Sequence, residues 1–269
     1  MTLAALIITL IVLVAGIFLF LSRPKKRPVV VPPEMIEDTL NKQVAYYARL
    51  SPEEKQRFQK EVDEFIREVR ITGVQTDVTD EDRVLLAASA VIPIFSFAGW
   101  KYPNLNEVLV YPGIFDDTFS LDEANTDRNI QGMVGTGAMH RMMIISRSSL
   151  RNGFANKTDK ENTAIHEFVH LIDKTDGAID GVPELLLDKQ IVHPWLKLML
   201  EEIQAIKENE SDINPYGATN EAEFFAVASE YFFERPELFK EKNPALYALM
   251  EKIFRQRPAT DNSGKHDPL

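Results

Sequence analysis

The stretch that most constrains this chain is ENTAIHEFVHLID, residues 161–173. Ala164, Ile165, Phe168, Val169, Leu171 and Ile172 make it apolar almost all round, and a helix with that pattern is buried. The same stretch carries His166, Glu167 and His170. Polar groups inside a core need partners, so the fold must bring further polar side chains to this helix. Positions i and i+4 lie one above the other on a helical face. Two imidazoles so placed can grip one metal ion, and the carboxylate beside the first can reach a water bound to that ion, with Glu167 as general base. Thr158 is expected to cap the helix, with Glu161 three residues later closing a capping box.

A five-residue pattern with two free positions also arises by chance, so the case turns on a third ligand. Zinc held by two histidines takes a third protein ligand and keeps one position open. The downstream stretch NEAEFFAVASEYFFE, residues 220–234, reads as a second buried helix, with Asn220 at its cap and Phe224, Phe225, Val227, Ala228, Tyr231 and Phe232 in the core. On it, Glu223 is the candidate ligand, against a rival reading as capping-box partner of Asn220. Glu230 lies seven residues further on, on the same face, where it would accept a hydrogen bond from a ligand or replace Glu223. Asp173 shares the face of His166 and His170. It is read either as orienting an imidazole or as a solvated carboxylate at the helix end. Tyr216, in a Gly-flanked turn seven before Glu223, has a hydroxyl that can donate to an oxyanion. His140 has no partner at a suitable local spacing and is read as an ordinary exposed or hydrogen-bonded histidine, and His193, which precedes a Pro at a helix start, is read as structural.

The rest of the chain reads as helices with little sheet. Helices are expected over 34–49, from Ser51-Pro52-Glu53-Glu54 to about Arg70, from Asp80 to about Phe97, and from Trp195 to about Lys207. Short strands are expected at 106–112 and within 137–150, and a polar loop over 115–137. The strand at 139–146 is expected to be an edge strand that aligns an extended peptide through main-chain hydrogen bonds. The net charge of -11 argues against nucleic-acid binding. The absence of cysteine excludes disulfides, thiol catalysis and a Cys-ligated metal.

Residues 3–21 carry no charge, no basic residue precedes them, and Arg23, Lys25, Lys26 and Arg27 follow. This predicts a transmembrane anchor rather than a cleaved signal peptide, with the C-terminal domain on the cytoplasmic side of the cell inner membrane. The expected domains are an anchor at 1–22, a basic, Pro-rich linker at 23–33, a peptidase domain at 34–257 and a tail at 258–269.

HEFVHLID, the following DGAIDGVP, the later YGATNEAEFFAVASEYFFERPELF and the earlier YYARLSPEEKQRF together resemble the Mlc titration factor A (MtfA) family of zinc metallopeptidases, over roughly residues 35–255. The resemblance implies a gluzincin-type core similar to anthrax lethal factor. It implies His166, His170 and Glu223 as ligands of one zinc, Glu167 as catalytic base, support for Tyr216, and aminopeptidase-type activity. The prototype of that family also binds a transcriptional repressor. The resulting expectation is an α+β chain: a mostly helical zincin-like metallopeptidase domain with a small sheet, preceded by one transmembrane helix, acting on a peptide or protein substrate. The alternative is a membrane-tethered regulatory protein that sequesters a repressor or other partner.

Overall fold

The computed structural model describes residues 29–113, 132–134, 141–156, 159–184 and 186–259. Local capping chemistry sets most helix starts. After α1 (Pro33–Gln43) and the short α2 (Ala45–Arg49), α3 (Pro52–Glu68) opens on the expected box: the Ser51 hydroxyl accepts from the Glu54 N–H, and the Glu54 carboxylate accepts from the Ser51 N–H at 2.9 Å. Strand β1 (Arg70–Gly73) follows. Helix α4 (Asp80–Ile94) has a Thr79/Asp82 box and carries Pro93 in its last turn, where it stops the helix. Strands β2 (Glu107–Tyr111), β3 (Gly132–Val134) and β4 (Met142–Ser146) lead into α5 (Arg147–Ala155).

The apolar stretch forms α6 (Thr163–Asp173). Its cap is Asn162, whose side chain accepts from the Ile165 N–H at 3.2 Å. Thr158, the expected cap, lies outside the described residues. Helix α7 (Lys189–Lys207) starts six residues before Trp195, capped by Asp188. Pro194 falls in its second turn, where it removes one backbone bond near a helix start without ending the helix. Then come α8 (Glu221–Glu234), α9 (Pro236–Lys242) and α10 (Pro244–Phe254).

The strands form one sheet in the order β1-β2-β4-β3. β1, β2 and β4 run parallel, and β3 pairs antiparallel with β4, Gly132 opposite Ile145. This corrects the expected edge. β4 holds the 142–146 stretch, and it lies inside the sheet between β2 and β3. Its residues Met143, Ile144 and Ile145 are fully buried, as a strand covered on both faces requires. Among the described residues the edge beside α6 is β3, part of the segment expected to be loop; the rest of 115–131 and 135–140, with His140, lies outside the described residues.

Among the described residues the helices pack on one face of this sheet, with α6 at the centre. Phe168 has no exposed surface. Its ring meets Phe65 of α3 at 5.7 Å and Tyr102 at 5.1 Å between centroids. Full burial of one such side chain contributes about 1.5–3 kcal/mol. On α8, Phe225 and Phe232 stack against Phe254 of α10, which fixes the rotation of α8 and so the direction of its glutamates.

No helix among the described residues is long and apolar enough to cross a membrane. The fold class is corrected accordingly: a mostly helical domain with a small mixed sheet, and no supported transmembrane helix. The single-pass inner-membrane placement is dropped with it, and residues 3–21, on which it rested, lie outside the described residues. The chain preceding α1 is not a free linker throughout, because Val31 is fully buried in the core.

Candidate metal centre

Helices α6 and α8 lie against each other and bring His166, His170 and Glu223 together. His166 Nε2 lies 3.0 Å from His170 Nε2 and 3.0 Å from Glu223 Oε2. His170 Nε2 lies 3.4 Å from the same oxygen. These three atoms form a near-equilateral triangle and are a group able to hold a metal ion. Ligands arranged tetrahedrally about a metal at about 2.0–2.1 Å would stand about 3.3–3.4 Å apart, so the triangle has the right size.

The hydrogen bonding fits a cation as well. His166 Nδ1 sits 2.8 Å from Glu230 Oε1. A carboxylate only accepts, so Nδ1 carries the proton. In the neutral ring, Nε2 then turns its lone pair toward Glu223 Oε2, a contact that repels unless a positive charge lies between them. Without a metal that charge is a proton. Burial pushes the His166 pKa down, but hydrogen bonds to Glu223 and Glu230 outweigh it and hold the ring up at about 10. Burial likewise works to raise Glu223, and the two histidines outweigh it, holding the carboxyl at about 2. Electrostatics that bind a proton so firmly also favour a metal cation in its place.

Glu223 does not act as a capping-box partner. Its backbone N–H donates to Asn220 Oδ1 at 2.9 Å, while its carboxylate turns to the imidazoles. Glu230 stands behind His166, as one of its two expected positions required, and its other oxygen accepts the Asn162 N–H. Glu167 is buried at 6% exposure. Burial pushes its pKa up, against the pull of His166 and His170. Tyr216 lies in a 3-10 turn, Pro215–Ala218, on the rim. Its ring centroid is 6.0 Å from that of His166. Burial, then the charges of Glu223 and Glu167, push its pKa up, so the hydroxyl keeps its proton and remains a donor.

Asp173 matches neither expected reading. It is 1% exposed, so it is no solvated carboxylate. It makes no hydrogen bond to His170 either: Oδ2 accepts the Gly181 N–H at 2.8 Å, and Oδ1 and His170 Nδ1 are each buried without a hydrogen bond among the described residues. Its place is to close the turn after α6, and burial raises its pKa to about 6. His193 is exposed on α7 and is not part of the metal-binding group.

Three residues at the centre were not singled out from the sequence. Asn162 is fully buried and joins both helices: it caps α6, gives its N–H to Glu230 and donates from Nδ2 to Glu234 at 2.8 Å. An Asn two residues before the first apolar residue, Ala164, was the available signal. Glu234, on the next turn of α8 after Glu230, reads in sequence only as a helix end. Gly132 of β3, a glycine in a polar stretch, gave no signal. A Cβ built there would lie 2.7 Å from Glu167 Cγ.

Comparison with known proteins agrees with this geometry. Residues 22–255 match the glucose-regulated metallo-peptidase M90 family. Mlc titration factor A of Pectobacterium atrosepticum is 31% identical over 229 residues, covering 78% of this chain and 82% of that protein. Mlc titration factor A of Escherichia fergusonii is 28% identical over 232 residues, covering 82% and 86%. An uncharacterized protein of Synechocystis sp. is 29% identical over 232 residues, covering 81% and 82%. The chain therefore belongs to the glucose-regulated metallo-peptidase M90 family, as an MtfA-type member.

Proposed function

We propose that the protein is a zinc-dependent peptidase that hydrolyses peptide bonds with Glu167 as general base. The observation that carries this reading is the triangle of His166, His170 and Glu223, with the Glu167 carboxylate buried on the same helix. Those three residues would hold one zinc ion, and Glu230 would fix the tautomer and direction of His166. Zinc bound there would act as a Lewis acid and lower the pKa of water. Glu167 would take the proton of the attacking water and deliver it to the leaving amine, a role suited to a carboxyl whose pKa burial has raised. Tyr216 would donate to the oxyanion that grows on the scissile carbonyl.

Among the described residues strand β3, rather than the 139–146 stretch, is the sheet edge that lies against α6, which supports it as the strand with which an extended peptide would pair. The finer reading, aminopeptidase-type cleavage, is supported by the family resemblance alone. Peptides with free amino termini should be cleaved and their N-acetylated forms spared; equal cleavage of both would make the enzyme an endopeptidase. The relatives' name, titration factor, supports a second reading in which the chain binds a regulatory partner, with or without hydrolysis.

The deciding experiment is the metal content of the purified protein beside Glu223→Ala, with Glu167→Gln assayed for turnover. Near-stoichiometric zinc that Glu223→Ala loses, and a Glu167→Gln protein that keeps zinc but turns over about 100-fold or more slower, are expected. Wild-type protein without zinc would refute the peptidase reading and leave the binding protein.

A further inference from the structure

We infer that Gly132 is a positioning residue for Glu167: its bare Cα lets the edge strand close directly over the Glu167 side chain and fix where that carboxylate points. The inference rests on the proposed role of Glu167, but its geometry stands apart from it. A Cβ at residue 132 would lie 2.7 Å from Glu167 Cγ, 2.8 Å from Oε1 and 3.0 Å from Cδ. Nonbonded carbons settle at about 3.5–4.0 Å, so a methyl group cannot be added without moving one partner.

The pleat of the strand independently puts residue 132 on this face. Successive residues point to opposite sides of a sheet. Met133 packs with Tyr111 and Ile144 in the small cluster on one side, while Val134 packs against the main core. Gly132 shares the side of Val134, toward α6. Its backbone is not what demands glycine: the described glycines with positive φ are Gly99, Gly177 and Gly181. Any residue could adopt the strand conformation at 132. What excludes a side chain is Glu167.

Neither partner can retreat without loss. β3 is held to β4 by antiparallel pairing at Gly132, Met133 and Val134. Glu167 is fixed by α6, whose neighbours Phe168 and Val169 are fully buried. The contact therefore acts as a stop that limits the rotamers of Glu167 and bars water from its sheet side.

The test is a double-mutant cycle of Gly132→Ala with Glu167→Ala, read by Tm, metal content and, in the wild-type background, kcat and KM. Glu167→Ala removes the three atoms nearest to the new methyl. Gly132→Ala should keep its zinc, lower kcat by about tenfold or more with KM within about threefold, and lower Tm by several degrees. The Tm loss should largely vanish in the Glu167→Ala background. If Gly132→Ala alone fails to fold, a folded double variant supports the contact. An equal Tm loss in both backgrounds, or an unchanged kcat, would overturn the inference. Absence of zinc or turnover from the wild type would count against the peptidase reading, and the Tm cycle would still judge the contact.

Discussion

On the helical side of the centre, α6 and α8 hold His166 by both ring nitrogens, Nε2 toward Glu223 and Nδ1 toward Glu230. Asn162 locks the two helices with bonds to Glu230 and Glu234. On the sheet side, Glu167 meets a three-residue edge strand through a glycine. The helical side is dense in charge-assisted hydrogen bonds and buried aromatic rings; among the described residues the sheet side meets Glu167 by close approach. The difference suits two tasks. Under the proposed function, a metal would require ligands fixed by bonded partners behind them, and a peptide substrate a strand edge that can still accept a partner.

The largest effect that could break this contrast is loss of the packing beneath α6. Phe168→Ala should cost about 3–5 kcal/mol of unfolding free energy in chemical denaturation, because the vacated space lies between rings that cannot collapse into it. Met133→Ala, on the sheet's partly buried far face, should cost only about 1 kcal/mol. Equal costs would mean that the sheet side is as tightly built as the helical side. The next effect sharpens the bonding half of the comparison. Under the proposed function, Glu230→Gln should weaken metal binding about 10–100-fold in competition with a chelator; unchanged affinity would show that Glu230 serves only Asn162.

The smallest effect concerns Glu234. Burial raises its pKa to about 7, beyond what its hydrogen bond from Asn162 can offset. The folded state therefore keeps this proton longer than the unfolded chain, and stability falls as pH rises from about 4.5 toward 7. Glu234→Gln keeps an acceptor for Asn162 without the titration. Its Tm relative to wild type should climb between pH 5 and pH 8. A constant difference would place Glu234 outside the folding linkage.

Much of the centre was legible because helices repeat locally. The four-residue step from His166 to His170 fixes a shared face whatever surrounds it, and the seven-residue step from Glu223 to Glu230 does the same on α8. The capping box at Ser51 and the Asn220 cap were equally readable, since a cap acts within three residues. The α6 cap was misread because Thr158 and Asn162 both suit the role. Asn162 won it as the residue directly before the helix. The start of α7 was placed too late because Pro194 reads as a helix opener, yet a proline in the second turn is tolerated. The sheet was hardest to read. Strand order depends on pairing between residues such as Gly132 and Ile145, and no local pattern encodes which strand lies outside. The 139–146 stretch was expected at the edge, and its strand, Met142–Ser146, is interior for that reason.

The sequence by itself determined that this chain would bury a helix carrying two imidazoles and a carboxylate, and that a second apolar helix would offer a glutamate to them. Periodicity and the cost of unpartnered polar groups in a core suffice for that. Tertiary structure alone decided that Glu223 turns to the histidines and not to its own cap, that Asp173 closes a turn, and that β3 is the edge lying over Glu167. Each of these depends on atoms distant in sequence meeting within about 3 Å, and only the packed chain sets such distances.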